Sequence, residues 1–178
     1  MDPNWISKYY SIFDKDYSET GENDIALLQI DSSQSTKLNE SDIIKLNNTS
    51  YATLNPTSSV DSGSGVVIKA YPSDVYGKFG VFATLPRQSE TTSLESLLNF
   101  DGNTNAPYDL LETRPSSLGQ SGASGGGIFD GQGQLIGIIS NTISSDVLSQ
   151  NKIRALSLSY IDKQIKNDLG VSIFEYNK

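Results

Sequence analysis

The chain has 178 residues, 36% of them hydrophobic, which is enough for one modest domain or for two β-barrels of under about a hundred residues each. Its formal net charge of -8 repels nucleic acid and anionic lipid, so neither is expected as a partner. Cysteine and histidine are both absent. This excludes disulfides and leaves only an uncommon all-carboxylate zinc site, so we expect no metal and no cofactor.

Short β-like runs alternate with clusters of Gly, Ser, Asn and Pro, which is typical of a β-barrel or a β-sandwich. The stretch 31–61 is polar with scattered apolar residues, and we interpret it as a linker between two β-rich parts. No apolar run is long enough for a transmembrane helix, and the start MDPNWISKYY lacks the regions of a signal peptide. The predicted strands are Ile25–Ile30, Gly65–Ala70, Gly80–Thr84, Tyr108–Glu112, Gly126–Phe129, Gln134–Ser140 and Ile153–Leu158.

One segment has the periodicity of a helix. In residues 159–169, SYIDKQIKNDL, the apolar side chains recur near helical spacing. Ser159 is the expected N-cap and Gly170 the expected C-terminal stop. The tail VSIFEYNK then resumes a β-like pattern.

The most informative segment is residues 122–140, GASGGGIFDGQGQLIGIIS, in which a glycine-flanked serine leads into two apolar runs separated by a tight turn. Glycines beside a nucleophile let the backbone turn sharply and let two amide N–H groups converge on a carbonyl oxygen. Upstream, NDIALL places Asp24 at the start of an apolar strand. Two members of a Ser-His-Asp set are therefore present, and the third is missing.

Together, GASGGGIF, QLIGIIS, NDIALL and the C-terminal helix resemble the trypsin-like (chymotrypsin-fold) serine peptidases, most of all their cysteine-free bacterial branch. The resemblance spans roughly residues 10–169, but only the serine loop and NDIALL are specific. It implies an all-β fold, a trypsin-like antiparallel β-barrel. Residues 62–178 would form a complete second barrel with a C-terminal helix and tail, residues 1–30 a remnant of the first barrel, and residues 31–61 the linker.

The resemblance also implies the site. Ser124 would be the nucleophile, Asp24 the orienting aspartate, and the N–H groups of Gly122 and Ser124 the oxyanion hole. Ser121 lies in a similar GQSG setting, but only Ser124 is followed by glycines and then at once by an apolar strand. The residues assigned to substrate binding are Ser121, at the edge of the specificity pocket, and Ser140, Asn141 and Thr142 on the following strand.

Two positions depart from the family pattern. Ala123 replaces the aspartate or asparagine that usually precedes the serine, so activation by N-terminal cleavage is not expected. Gly127 replaces a proline, which only loosens the turn. The implied pocket floor, residues 117–121 and 139–142, contains small or uncharged residues. We therefore predict a small or neutral side chain before the scissile bond.

The missing histidine decides between functions, because a serine hydroxyl is a poor nucleophile without an adjacent base. No lysine stands in a motif that marks a substitute base. The histidine of the family lies several dozen residues before the aspartate, whereas only 23 residues precede Asp24. We interpret the chain as the C-terminal part of a peptidase domain, inactive as given because the histidine-bearing segment is absent.

Two other function classes stay open: a non-catalytic pseudopeptidase that binds peptides or proteins, and a β-rich interaction domain in which GASGGG is only a turn. A peptide or protein substrate is the expected partner of the first two. A partial first barrel leaves unpaired strand edges, so dimerisation is also expected. The resemblance indicates a soluble bacterial protein, either cytoplasmic or exported.

Overall fold

Six antiparallel strands close into a barrel in the part of the chain that the computed structural model describes, residues 52–55, 60–72, 87–147 and 150–176. Around the barrel the strands follow the order β1-β2-β3-β6-β5-β4. Their bounds are β1 (Gly65–Ala70), β2 (Gln88–Leu98), β3 (Leu110–Thr113), β4 (Gly127–Phe129), β5 (Leu135–Ile143) and β6 (Lys152–Ser157), followed by helix α1 (Leu158–Leu169) and a short 3-10 helix (Ile173–Tyr176).

The barrel interior is filled by alternate residues of the strands, because successive side chains of a strand point to opposite faces. In β1, Val66, Ile68 and Ala70 are buried while the residues between them are partly exposed. The same interior cluster takes in residues from the other strands and from the segment before β4: Leu94, Leu111, Leu118, Ala123, Ile128, Ile136, Ile139, Ile153 and Ala155.

Strand β2 was not predicted from the sequence. Its residues, QSETTSLESLL, are largely polar, and Leu94 is its one fully buried side chain. The strand is formed through its backbone pairing with β1 and β3, which a largely polar composition does not predict. β2 has a bulge between Leu94 and Ser96, along the edge that pairs with β3.

Helix α1 follows the last strand, as predicted, but its N-cap is Ser157 rather than Ser159. The helix packs against Leu110, Ile138 and Leu156, which alternate along their strands with the interior residues, so it lies on the outer face of the barrel. The Ser157 hydroxyl accepts a hydrogen bond from the Tyr160 N–H at 3.0 Å, since the chain passes directly from β6 into the helix. Gly170 ends the helix as expected, in the left-handed conformation. The predicted β-like tail is wrong: residues 173–176 form a 3-10 helix, because Asp162 hydrogen-bonds the start of this segment.

The predicted strands that fall within the described residues lie within a few residues of the observed ones. The predicted strands Ile25–Ile30 and Gly80–Thr84 fall outside the described residues, as do the predicted first-barrel remnant and most of the linker. The end of the linker reaches the barrel at β5, where Leu54 forms a parallel bridge with Leu135. Among the described helices, none is long and apolar enough to cross a membrane.

Candidate functional site

Ser124 lies on an exposed turn directly before β4. Gly122 and Gly125, on either side of it, have φ angles of 87° and 82°, in a region that residues with a side chain rarely adopt. The turn is fastened to β5, because the Gly125 N–H donates to the Ile139 carbonyl at 2.8 Å. The glycines predicted to shape a nucleophile loop therefore hold Ser124 at the surface beside β5.

The amides of this turn divide into used and unused donors. The Ala123 N–H donates to the Gln120 carbonyl at 3.1 Å. The N–H groups of Gly122 and Ser124 donate to no group among the residues that the structure describes, and both residues are exposed. These are the two amides predicted to form the oxyanion hole, and their convergence on a common point stays a prediction.

Strand β5 has a bulge at Ser140. Ile139 pairs with Ala155 and Asn141 with Arg154, so Ser140 is the extra residue on its strand. Bulges of this kind re-aim the backbone and are frequent beside active sites. Here the Ser140 carbonyl accepts a hydrogen bond from the Ser124 hydroxyl at 3.0 Å, which brings together the predicted nucleophile and the first predicted substrate-binding residue of β5.

Two buried polar atoms next to Ser124 have no hydrogen-bond partner. They are Ser140 Oγ and Asn141 Oδ1, the only such side-chain atoms found within the described ranges. Ser140 is 8% exposed. Leaving a buried polar group unpaired costs about 1–3 kcal/mol, so each exception in a folded protein calls for an explanation.

The far end of β5 is paired on one side only. β4 pairs with β5 between Leu135 and Ile138, whereas the residues beyond the bulge pair with β6. On the side of Ser124, the backbone of Asn141 and Thr142 has no strand partner in the described part of the chain. Ser140, Asn141 and Thr142 thus lie along an open strand edge next to Ser124.

The segment that leads to Ser124 is held from two sides. Glu90 of β2 accepts hydrogen bonds from the N–H and the hydroxyl of Ser117. Asn151, the residue just before β6, donates from Nδ2 to the Gly119 carbonyl at 2.6 Å. Ser121, the predicted pocket-edge residue, follows this segment and is exposed.

The sequence did not predict a role for Asn151. An asparagine just before a strand is typical of an ordinary turn, and the residue that Asn151 contacts, Gly119, lies 32 residues away.

A charged cluster joins strands β2, β3 and β6, on the side of β5 opposite the open edge. Lys152 Nζ is 2.9 Å from a carboxylate oxygen of Glu95 and 3.4 Å from one of Glu112, and Arg154 Nε is 2.9 Å from the other Glu112 oxygen. The hydrogen bond to Glu95 raises the pKa of Lys152, desolvation opposes it, and the hydrogen bond to Glu112 with the negative charges of both carboxylates makes the net shift upward. Lys152 therefore remains an ammonium at neutral pH and cannot accept a proton from serine.

Lys69 is the lysine of β1 that pairs with Gly127, three residues after Ser124. Its ammonium lies over the ring of Phe129, 4.2 Å from the centroid, in a cation-π contact. This lysine is therefore engaged with Phe129 rather than with the serine. Asp24, the predicted orienting aspartate, lies outside the described residues.

The solved structures that are similar to this chain include the following two. One is an HtrA-type protease, AlgW, crystallised with a decapeptide: the TM-score is 0.48 and the identity 20%, and the match covers 70% of this chain and 35% of that one. The other is Rv3671c from M. tuberculosis, crystallised as a serine-to-alanine mutant in an inactive form, with a TM-score of 0.51 and 14% identity, covering 70% of this chain and 56% of that one.

No protein-family model matches the chain, and no curated protein matches it. This chain spans 56% of the Rv3671c chain, and the similarity concerns the fold. The predicted fold class is confirmed: a trypsin-like antiparallel β-barrel of six strands with a C-terminal helix.

Proposed function

We propose that this chain is a serine endopeptidase-like domain that uses Ser124 as the nucleophile of peptide-bond hydrolysis through an acyl-enzyme, and that it is inactive as given because it lacks the catalytic histidine. The observation that carries the proposal is the surroundings of Ser124. Its residue is exposed, the N–H groups of Gly122 and Ser124 donate to none of the described residues, and the strand edge at Asn141 and Thr142 is open within the described ranges. A glycine turn without function has no need for these three features at one place.

The proposed chemistry assigns one role to each group. Ser124 Oγ attacks the carbonyl carbon of the substrate, and the Gly122 and Ser124 amides stabilise the negative charge that develops on its oxygen. Attack requires removal of the hydroxyl proton, for which this sequence offers no imidazole. In the structure that hydroxyl donates instead to the Ser140 carbonyl.

Ser140 Oγ supports the assignment of Asp24. A buried hydroxyl without a partner needs an acceptor or a donor, and in the proposal the Asp24 carboxylate accepts from it. Asp24 is then placed to orient the base when one is supplied. The proposed histidine comes from a segment outside the 178 residues.

A pseudopeptidase that binds peptides is the second candidate, favoured by the absence of histidine from the whole sequence. An extended peptide can pair with an open strand edge through backbone hydrogen bonds alone, and this needs no base. Both candidates take a peptide or protein as partner, and the groove along Ser140 and Asn141 is the proposed contact in each.

The experiment that tests the proposal is hydrolysis of a peptide library together with fluorophosphonate labelling of the 178-residue chain. Labelling also needs an activated hydroxyl, so we expect both to be very slow and both to rise when the histidine-bearing upstream segment of the gene is added. Ser124→Ala is the matched negative control. Fast labelling of the isolated chain that is lost in Ser124→Ala but retained in Asp24→Ala would show that another base acts, and a full-length gene without histidine would favour the pseudopeptidase.

We further propose that the chain associates through open edges of a partial first barrel and that it comes from a bacterium, where it is cytoplasmic or exported. Unpaired edges and exposed apolar surface favour self-association. Light scattering that gives the mass of a monomer over a wide concentration range would contradict the dimer.

A further inference from the structure

We propose that a polar cleft between helix α1 and the loop 99–109, the α1 cleft, binds one or two units of a neutral carbohydrate. The loop joins β2 to β3 at the end of the barrel where β6 continues into α1. Ser124 precedes β4, the strand farthest from β3 in the order around the barrel. The inference is therefore independent of the function proposed for Ser124.

Hydrogen bonds and a ring contact join the two walls of the α1 cleft. Ser157, the N-cap of α1, donates from its N–H to the Asp109 carbonyl at 2.9 Å and from its hydroxyl to the Tyr108 carbonyl. The ring of Tyr160, a buried residue of the helix wall, meets the ring of Phe100 edge-on, with 5.1 Å between their centroids. The distance between loop and helix is thus set by the fold, as is usual for small-molecule sites.

The loop wall is held in shape by its own side chains. Asn99 Nδ2 donates to the Asn103 and Asn105 carbonyls at 3.0 and 2.8 Å, and Asn99 Oδ1 accepts from the Asp109 N–H at 2.8 Å. Asp101 Oδ1 accepts from the Asn103 N–H, also at 2.8 Å. Compact loops whose ends lie close together and whose own side chains pack them frequently carry function.

The size and the lining of the α1 cleft fit a small polar molecule. Its volume is about 450 Å³, within the roughly 300–1,000 Å³ of small-molecule sites. Its lining includes the side chains of Asn105 on the loop and Asn167 on the helix, both exposed. Neither of these two amides has a hydrogen-bond partner within the described ranges. They are therefore available to a ligand from both walls.

The charges that line the α1 cleft nearly cancel. Three carboxylates, those of Asp101, Asp109 and Asp162, accompany two ammonium groups, those of Lys163 and Lys166. Lys166 is already paired with Asp162 at 2.8 Å. One carboxylate in excess, in a chain with a net charge of -8, disfavours phosphate and other anions. The lining thus favours a ligand without net charge.

A neutral carbohydrate matches these groups. Each sugar hydroxyl both donates and accepts hydrogen bonds, so it can pair with amides, carboxylates and ammonium groups alike. The C–H face of a sugar ring is apolar, and the lining offers Pro107 and the ring of Tyr108 for that face. A wholly apolar ligand would instead take water from the amides and carboxylates without replacing its hydrogen bonds, which is unfavourable.

Titration followed by nuclear magnetic resonance tests the proposal. Cellobiose, diacetylchitobiose, maltose and lactose are added in turn to the nitrogen-15-labelled 178-residue chain. We expect at least one of them to bind saturably and to shift the amide signals of residues 99–109 and 159–167 while those of residues 122–126 stay in place. Inositol hexakisphosphate is the anionic comparison and should not shift the cleft signals.

Longer oligomers of the sugar that binds distinguish two sources of the carbohydrate. Affinity that is the same for the disaccharide and the tetrasaccharide indicates a free sugar. Affinity that rises with length indicates a polysaccharide that continues beyond the α1 cleft. Both results support carbohydrate binding at this place.

Asn167→Trp and Asp168→Trp form a matched pair. Both positions are exposed on α1, but only Asn167 lines the cleft. A bulky ring at position 167 should occupy the cleft and weaken binding at least about tenfold, whereas the same ring at position 168 should leave the affinity unchanged. Asn105→Ala should weaken binding about three- to tenfold through one lost hydrogen bond, and Thr104→Ala, beside it but outside the lining, should not.

Three results would overturn the proposal. They are no saturable shift with any of the four disaccharides, equal affinities in Asn167→Trp and Asp168→Trp, and binding of the hexakisphosphate at the cleft residues in place of the sugars. Ser124→Ala should bind the sugar as the unmodified chain does. Failure of this inference therefore leaves the function proposed for Ser124 untouched.

Discussion

The two ends of the barrel differ in whether their buried polar groups have hydrogen-bond partners. At the end where β6 continues into α1, the Asp162 carboxylate is 7% exposed and accepts from the Ser172 hydroxyl at 2.6 Å, the Ile173 N–H at 2.9 Å and the Lys166 ammonium at 2.8 Å. At the end that carries Ser124, the two buried side-chain atoms without a partner, as far as the structure describes the chain, lie in consecutive residues, Ser140 and Asn141.

In the proposed function, this difference separates polar groups that stabilise the fold from polar groups that act on a peptide. Around Asp162 every hydrogen bond joins parts of the same fold, and the network closes on itself. Around Ser124, the Ser140 hydroxyl, the Asn141 side-chain oxygen and the turn amides are held in place by the barrel but have no hydrogen-bond partner among the described residues. Unsatisfied groups that cluster at one place thus point to a binding or catalytic site more directly than the glycine motif does.

Gly126→Ala should have the largest effect on stability, because the backbone around Gly126 leaves no room for a Cβ. The variant tests whether tight packing beneath the Ser124 turn holds that turn in place. A Cβ at Gly126 would lie 2.7 Å from the Lys69 carbonyl oxygen and 2.9 Å from that of Ala123, and both are backbone atoms that cannot turn away. We expect a loss of about 3 kcal/mol in the free energy of unfolding, measured by urea denaturation. Gly131→Ala, with nothing within 4 Å, is the control and should change it by under about 0.5 kcal/mol. Equal effects would mean that the turn is not held as described.

Asp162→Asn comes next and tests the closed network. We expect a loss of about 2 kcal/mol at neutral pH, since the carboxylate loses charge-assisted hydrogen bonds. Asp168→Asn, at an exposed position of the same helix, should be nearly neutral and serves as the control.

The pH dependence of the Asp162→Asn effect sharpens this test. Burial pushes the pKa of Asp162 upward, but the hydrogen bonds from Lys166, Ser172 and the Ile173 N–H outweigh it and hold the pKa below its ordinary value. The stabilisation is therefore present above the pKa of the unfolded chain and is lost as pH falls through the lower, folded pKa. The difference between the two proteins should narrow below about pH 4 in denaturation series. A difference that stays constant down to acid pH would contradict the network.

A double-mutant cycle of Ser140→Ala with Asp24→Ala tests the open end. In the proposal the Ser140 hydroxyl donates to the Asp24 carboxylate, so the two changes should be coupled by about 1 kcal/mol in unfolding free energy. Pairing Asp24→Ala with Ser157→Ala, at the other end of the barrel, is the control cycle and should be additive. Additivity in both cycles would remove Asp24 from the site.

Ser124→Ala should have the smallest effect on stability, under about 0.5 kcal/mol, because its exposed hydroxyl makes a single hydrogen bond to the Ser140 carbonyl. Ser157→Ala is the matched comparison: that hydroxyl is buried, caps α1 and donates to the Tyr108 carbonyl, and its loss should cost about 1–2 kcal/mol. Thermal unfolding of both variants measures the contrast. A loss in Ser124→Ala as large as in Ser157→Ala would make Ser124 a structural residue.

The sequence was sufficient where local pattern decides structure. The alternation in GVVIKA predicted β1 to the residue, and the capping glycine predicted the end of α1. It was insufficient where long-range pairing decides. β2 is polar and forms because β1 and β3 flank it, and the choice of Ser157 over Ser159 as N-cap depends on where β6 ends.

The site divides in the same way. The glycine pattern was enough to place Ser124 on a turn, and the resemblance was enough to associate it with Ser140. The bulge at Ser140 was not foreseeable, because it depends on the register between β5 and β6. Asn151 was missed because its importance lies in contacts with Gly119 and Ser145 that no local pattern encodes.

Because Ser140 is an extra residue in β5, a change at this position can alter the surroundings of Ser124 without altering the pairing of β5 with β6. Deletion of Ser140 would leave Ile139 and Asn141 in regular succession opposite Ala155 and Arg154, and would remove the carbonyl that accepts from the Ser124 hydroxyl together with the buried Ser140 hydroxyl. We expect the deletion variant to keep a β-type circular dichroism spectrum and to lose peptide binding. In the proposed function, a single-codon deletion is then enough to abolish peptide binding while the barrel stays folded.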